Sequence, residues 1–349
     1  MILLAGGGTG GHVFPLIALA EAFGEVAPNE ELRFVGTSKG LEARVIPARG
    51  WQLETLSIEP MKGRSLFGAA RGGMIAGAAV VRALSLVARL RPRLCVSIGG
   101  YAAGPIGVAS ATLNVPLALL EPNRIAGFTQ KLLAPLARRI YVGFREASRS
   151  KKARALGVPL RKGFVPRLAE PRGDRPLRIF ITGGSQGAQH LNETMPEVIA
   201  RLRARGASLD VVHQAGRGRV MKYSSDARVV EFVDDVPAQL TWADLVIARA
   251  GALTCAELCA VGRAAILIPY PHAADDHQAE NAQALATGGA AICILQKNAS
   301  VEQLVQAIGA LYDDDTARIA IADAARARGV PNAAEKIAED LLELMKGAG

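Results

Sequence analysis

The sequence predicts an α/β protein of two similar domains, each a parallel sheet with helices on both faces. Three observations carry this. Short apolar runs alternate with longer segments of helical spacing or Gly/Pro punctuation, the pattern of repeated strand–helix units. The plan of the opening MILLAGGGTGGHVFPL, an apolar strand running into a glycine loop and then a helix, recurs at LRIFITGGSQGAQHLN, residues 177–192. The chain's 349 residues also exceed what one hydrophobic core usually organises.

In the first domain the apolar runs at 1–5, 32–36, 94–98, 116–120 and 140–144 predict strands. Residues 145–176 are basic, Pro-rich and poor in apolar periodicity, and predict the connection. After the strand that opens the second domain, further strands are predicted near 208–213, 228–232, 245–248, 264–269 and 290–294, and the tail over 301–346 reads as helical. The first domain is assigned to 1–160 and the second to 161–335. Residues 336–349 are assigned to a C-terminal helix expected to pack back on the first domain.

Half the residues are apolar, 21% are charged and 5% are aromatic, the composition of a globular protein. No basic segment followed by a small-residue cleavage site opens the chain, so no signal peptide is expected. The most apolar stretch, Leu66 to Leu90, is interrupted by Arg71, Arg82 and Arg89, which argues against a transmembrane helix. Cys95, Cys255, Cys259 and Cys293 have apolar neighbours and form no C-x-x-C pair, so reduced buried thiols are expected. The net charge of +9 is unevenly placed. Residues 1–150 hold 17 Lys+Arg against 9 Asp+Glu, and Pro60 to Leu120 contains seven basic residues and no acid. Such a one-signed surface favours anionic partners. A nucleic acid is not expected, because Phe67 and Tyr101 are the only aromatics of that span available for base stacking.

Glycines let a backbone turn tightly and bring N–H groups close to a ligand, and a helix N-terminus behind them favours negative charge. GGGTGG, Gly6 to Gly11, fits G-x-G-x-x-G between a strand and a helix. The second strand ends FVGTSKG without the acid that a dinucleotide fold needs there, so NAD is not expected, and no P-loop motif occurs. GGSQGA, Gly183 to Ala188, adds the Ser185 hydroxyl, and GGYAAGP, Gly99 to Pro105, is a third cluster. Each alone is also compatible with a tight turn that binds nothing. Together, at carboxyl ends of strands, they point to ligand sites.

His12 follows the first loop, and is either a general base or a capping or core imidazole. Glu121 and Asn123, in LEPN at a strand end, suit orienting a base or an acceptor. Glu257 stands in an otherwise apolar helix and calls for a partner, such as a ribose diol, or a solvated edge. His272, Asp275, Asp276, His277, Gln278 and Asn281 crowd one stretch whose amides suit a sugar better than its acids and imidazoles suit a metal. Asp313 to Asp315 contain a formal D-x-D, read as a helix cap.

GGTGGH, GLEARVIP, GGYAAGP, EPNRIAG, GGSQGA, FVDDV, RAGALTCAE and DDHQAENA occur in this order over nearly the whole chain. This set resembles the MurG family, the UDP-N-acetylglucosamine transferases of glycosyltransferase family 28 that complete lipid II. The resemblance implies the GT-B architecture, two Rossmann-like domains facing a central cleft, with an acceptor and membrane-associating first domain and a UDP-GlcNAc-binding second domain. It implies transfer of GlcNAc to lipid I (undecaprenyl-diphospho-MurNAc-pentapeptide) with inversion, in one displacement.

Carried over by position, Thr9, Gly10 and Gly11 match the family's first loop and Asn123 its acceptor-domain asparagine. Ser185 matches the phosphate-side serine, and Val233 the residue whose backbone reads uracil. Ala252, Leu253, Thr254, Cys255, Ala256 and Glu257 match the donor-binding stretch, with Glu257 on the ribose. Gln278 matches the sugar-contacting glutamine. His12 is the expected base, with Asn123 and Glu121 in the catalytic set. Ser185, Arg167 and Arg249 are expected to meet leaving-group charge, with no obligatory metal.

Two departures stand out: GFVPR, Gly163 to Arg167, where the family has G-N-P-V-R, and FREA, Phe144 to Ala147, where it often has F-P-E-A. The expected partners are UDP-GlcNAc, lipid I, an anionic membrane surface and other cell-wall synthesis proteins, with no nucleic acid. The expected place is the cytoplasmic face of the cell membrane, with Leu66, Phe67, Met74 and Ile75 in the interface and Lys62, Arg64 and Arg71 on headgroups. The alternatives are a diacylglycerol glycosyltransferase, a UDP-GlcNAc 2-epimerase and a non-catalytic UDP-sugar binder.

Overall fold

The computed structural model describes residues 1–56, 66–100, 102–219 and 226–347, with side chains throughout except over 66–76. Lys62, Arg64 and Tyr101 lie outside the described residues, as do the side chains of Leu66, Phe67, Arg71, Met74 and Ile75. The chain divides into two units, Met1–Lys162 with Asn332–Gly349, and Gly163–Pro331.

Unit 1 runs β1 (Ile2–Gly6), α1 (Gly10–Val26), β2 (Leu32–Gly36), α2 (Glu42–Val45), β3 (Gln52–Thr55), α3 (Leu66–Leu90), β4 (Leu94–Gly99), α4 (Ala103–Thr112), β5 (Leu117–Glu121), α5 (Phe128–Leu133), β6 (Arg139–Val142) and β7 (Ala153–Arg154). All its strand pairings are parallel, in the order β3-β2-β1-β4-β5-β6-β7. Parallel strands covered on both faces read as continuous apolar runs, and ILLAG and LCVSIG are buried at every position. The strand order reverses about β1, which lies between β2 and β4. In an open α/β sheet that is where a crevice opens at the carboxyl ends. The β1–β4 register shifts between Ala5 and Gly6, so that Gly6 pairs with Gly99 and two glycine clusters meet there.

Unit 2 runs β8 (Leu177–Thr182), α6 (Gln189–Ala204), β9 (Leu209–Gln214), β10 (Arg228–Val230), α7 (Val236–Trp242), β11 (Leu245–Ala248), α8 (Ala252–Val261), β12 (Ala264–Leu267), α9 (His277–Thr287), β13 (Ile292–Cys293), α10 (Val301–Asp313) and α11 (Asp315–Arg328). Its sheet is also parallel, ordered β10-β9-β8-β11-β12-β13, and the order reverses about β8. Asp314 caps α11 by accepting from the Ala317 N–H at 2.9 Å.

The chain then returns to unit 1 as α12 (Ala333–Lys346). Its apolar stripe, Ile337, Leu341 and Met345, repeats every four residues and is buried against α1 in the core that also holds Ile17 and Phe23. Asp340 on the polar side accepts from the Tyr141 hydroxyl at 2.5 Å and from Arg139 Nε at 3.1 Å, fixing α12 to β6. Ala333 and Ala334 are already buried there, so the change of unit comes at Asn332. Among the described residues no helix is long and apolar enough to cross a membrane.

Candidate active site

In unit 1 the β1 strand ends at Gly6, and α1 begins at Gly10 behind Thr9, whose extended backbone forms the cap. His12 and Val13 donate their N–H groups to the Thr9 carbonyl, both at 3.1 Å. His12 is half-buried, and its Nδ1 lies 3.0 Å from the Gly7 carbonyl oxygen. A carbonyl only accepts, so Nδ1 carries the proton of the neutral ring and Nε2 carries the lone pair. That is the tautomer a base needs. The third glycine cluster packs on this loop. Gly100 has φ +89°, and a Cβ there would sit 2.7 Å from the Gly7 oxygen, so only glycine fits.

Glu121 ends β5 with 4% of its surface exposed. Its Oε1 accepts from the Asn123 N–H at 2.9 Å and from Asn123 Nδ2 at 3.1 Å, and its Oε2 accepts from the Gly127 N–H at 3.0 Å. Burial pushes its carboxyl pKa up against these bonds. Glu121 therefore shapes the 122–127 turn and aims the Asn123 side chain, which makes it a positioning group. Sequence reasoning missed two groups beside this site. Gln130 is buried and donates Nε2 to the Leu120 carbonyl at 2.7 Å. Glu42 is buried under the first glycine loop. Motif GLEARVIP contains Glu42, but nothing local to it marks a partner.

In unit 2 the second loop follows β8. The Gly184 N–H donates to Thr182 Oγ1 at 3.0 Å, and Ser185 is exposed in the loop before α6. Gly187 has φ +69°, and a Cβ there would lie 1.8 Å from the Ala215 carbonyl oxygen. Gln214, at the end of β9 and missed in the sequence, donates Nε2 to the Gly184 carbonyl at 2.8 Å and accepts from the Val233 N–H at 3.0 Å. It ties the glycine loop to FVDDV. The Val233 N–H is thus already engaged. Buried His213 donates Nε2–H to Asn192 Oδ1 at 3.1 Å, and Asn192 Nδ2 donates to the Ala215 carbonyl at 2.9 Å, beneath the same loop.

On the other side of the switch point, Gly251 caps α8, and Ala252, Leu253 and Thr254 form its half-buried first turn with Cys255 buried behind them. Ala256 is half-buried and Glu257 is buried one turn on. Asn281 of α9 donates to the Ala250 carbonyl at 3.2 Å, holding this entry. Arg249 is buried and gives its guanidinium to neutral oxygens: Ile268 O at 3.0 Å, Pro269 O at 3.2 Å and Gln296 Oε1 at 2.6 Å. Burial lowers its pKa. It lies at the carboxyl ends of β11 and β12, beside the α8 N-terminus. Gln278 accepts from the Tyr270 N–H at 3.0 Å, after two consecutive residues, Asp275 and Asp276, with φ +50° and +53°.

Arg167 is placed elsewhere. Its N–H donates to the Val261 carbonyl at 2.9 Å, at the far end of α8 from the loops. It lines a cavity of about 510 Å³ with Arg178, Asp244 and Arg263. Those three stand at the amino ends of β8, β11 and β12, opposite the Gly183–Ala188 loop in a parallel sheet. Arg167, expected to meet leaving-group charge, is therefore not brought together with the Ser185 loop within this unit. Gly163, where the departing GFVPR motif begins, lines the same cavity. Among the described residues no group of three or more His, Cys, Asp or Glu is placed to hold a metal ion. Cys95, Cys255 and Cys259 are buried and Cys293 half-buried, all unpaired, and burial raises each thiol pKa.

The glycosyltransferase family 28 N-terminal domain matches residues 2–142, and the glycosyltransferase family 28 C-terminal domain matches residues 178–337. A relative from Sorangium cellulosum is 48% identical over 99% of this chain and 88% of its own length. It is the UDP-N-acetylglucosamine–N-acetylmuramyl-(pentapeptide) pyrophosphoryl-undecaprenol N-acetylglucosamine transferase of that organism. The crystal structure of Acinetobacter baumannii MurG superposes with a TM-score of 0.82 at 29% identity, covering 98% of this chain and 99% of that one. A UDP-GlcNAc 2-epimerase from Neisseria meningitidis, bound to UDP-GlcNAc, covers 98% of this chain and 100% of its own at a TM-score of 0.68. At 10% identity that likeness is one of fold alone. The two Rossmann-like parallel-sheet units are those of the GT-B fold, and the chain belongs to glycosyltransferase family 28, within it to the MurG family.

Proposed function

We propose that the protein transfers GlcNAc from UDP-GlcNAc to the MurNAc 4-hydroxyl of lipid I, giving lipid II, with inversion at the anomeric carbon. The observation that carries this is the 48% identity, over 99% of this chain, with a transferase of that name. The hydroxyl oxygen bonds to C1 of GlcNAc as the bond from C1 to the UDP oxygen breaks. The electron pair leaves on the diphosphate, and the hydroxyl proton passes to His12 Nε2. Gly7 supports this by holding the ring proton on Nδ1. Glu121 presents Asn123 to the acceptor through two hydrogen bonds.

The donor is held by unit 2. Its diphosphate meets the loop of Ser185 ahead of α6 and the first turn of α8, where backbone N–H groups are aimed at charge that grows in the transition state. Buried Arg249 adds a fixed positive charge beside that turn. The Val233 backbone faces uracil, Glu257 takes the ribose hydroxyls, and Gln278 contacts the sugar. These groups supply the leaving-group stabilisation without an obligatory metal. The enzyme works as a peripheral protein on the cytoplasmic membrane face. Phe128, Leu132 and Leu136, spaced by four residues on and after α5, are 72%, 56% and 47% exposed, with Lys131 among them. An apolar ridge with basic neighbours suits an anionic interface.

The test is an acceptor panel with labelled UDP-GlcNAc and chelator. Label is expected on a lipid I analogue and not on diacylglycerol, with no epimerised sugar nucleotide when acceptor is omitted. Label on diacylglycerol, an epimerised donor, or binding without turnover would each replace the proposal with the corresponding alternative.

A further inference from the structure

We infer that Glu42 is a positioning residue for the reaction, acting through the Gly7–Gly8 peptide to fix the tautomer of His12. This rests on the reading of His12 as the base. The two ends of that one peptide are gripped by different side chains. Its N–H, on Gly8, donates to Glu42 Oε2 at 2.8 Å. Its C=O, on Gly7, accepts from His12 Nδ1 at 3.0 Å. The peptide unit is planar, so holding the N–H end fixes the direction of the carbonyl end. The sequence carboxylate, peptide, imidazole is a relay whose middle member is backbone, and hydrogen bonds in such a chain polarise one another.

The recess around Glu42 is built for a carboxylate. Glu42 is 1% exposed. Its Oε1 accepts from the Thr37 N–H at 2.8 Å and the Thr37 hydroxyl at 2.9 Å. A Cβ on Gly7 or on Gly40 would lie 2.2 Å from a carboxylate oxygen, and one on Gly36 would lie 2.5 Å from Cγ. Three glycines, one after β1 and two at the end of β2 and in the loop behind it, thus leave the space that the side chain fills. Burial pushes the Glu42 pKa up, yet the N–H groups of Thr37 and Gly8 and the Thr37 hydroxyl outweigh it and hold the carboxyl below its usual range. A buried anion held only by neutral donors is a costly way to fill space, and an apolar side chain would pack there more cheaply. What an apolar residue would not supply is the grip on the Gly8 N–H. Glu42→Gln keeps the shape but turns an NH₂ group against N–H donors.

Two readouts test this. The first is the ¹⁵N spectrum of the ring-labelled protein, with His12 assigned by its loss in His12→Asn. The parent is expected to hold the proton on Nδ1, and Glu42→Gln to move it toward Nε2. An unchanged ring in Glu42→Gln overturns the proposal. The second is a double-mutant cycle on GlcNAc transfer. Glu42→Gln is expected to lower kcat about tenfold in the parent and less than about twofold in a His12→Ala background, with KM for UDP-GlcNAc unchanged. Equal factors in both backgrounds would mean that Glu42 acts only on the fold. If the parent transfers no GlcNAc to lipid I, the functional reading fails while the ring spectrum still decides the role of Glu42. Should Glu42→Gln not fold, Thr37→Val removes one bond to the carboxylate and is expected to give about threefold, with the same two readouts.

Discussion

His213 links acidity to the stability of the second unit. Its ring is fully buried on β9, and burial lowers its pKa from 6.5 to about 4. Between those values the unfolded chain carries a proton that the folded chain does not, so stability falls as pH falls through that window. A difference of about 2.5 in pKa is worth about 3 kcal/mol in all, of which about 2 kcal/mol is lost between pH 7 and pH 4.5. The loss should be felt at the second glycine loop. His213 holds Asn192, and Asn192 holds the Ala215 carbonyl that Gly187 packs against. The assay is denaturant unfolding of the parent and of His213→Gln at both pH values. The parent should lose about 2 kcal/mol more than the variant over this range, because the variant has no ring to protonate. Equal losses in the two proteins would refute the reasoning.

Other consequences are equally direct. Gly187→Ala forces a methyl against the Ala215 carbonyl at a left-handed φ, and should weaken UDP-GlcNAc binding at least about tenfold while leaving unit 1 folded; equilibrium binding by calorimetry checks it. Glu121→Gln turns an NH₂ group against the N–H groups at one of the two carboxylate oxygens, and should lower kcat about tenfold with donor affinity unchanged, measured by steady-state transfer. Replacing Phe128 and Leu132 by Ser should reduce co-sedimentation with anionic vesicles without changing donor binding; sedimentation that ignores lipid charge would remove the membrane reading.

Much of this molecule was legible in its sequence because parallel strands buried on both faces are apolar end to end. The runs at 1–5, 94–98 and 245–248 coincide with β1, β4 and β11 to within a residue. Edge strands lack that signal. QLET of β3 is partly exposed and polar, and β7 lies inside the basic stretch read as connection. The tail breaks into three helices where Asp314 caps one and the segment after Arg328 precedes another.

At the site, the glycine loops announced themselves by composition. Their supports did not. Glu42 bonds Gly8 across 34 positions of chain, and Gln214 reaches Val233 across 19. Such pairings exist only once parallel strands bring their carboxyl ends together. Arg167 shows the opposite case, where a matching residue type stands in a motif whose backbone lies by the amino ends of the strands, away from the glycine loop.

The most direct test of the central claim is the structure of the disaccharide made from a lipid I analogue, UDP-GlcNAc and the purified enzyme with chelator present. GlcNAc is expected on the MurNAc 4-hydroxyl with anomeric configuration opposite to that of the donor. Retained configuration would contradict the single displacement with His12 as base, and attachment at another hydroxyl would contradict the MurNAc 4-hydroxyl as the nucleophile.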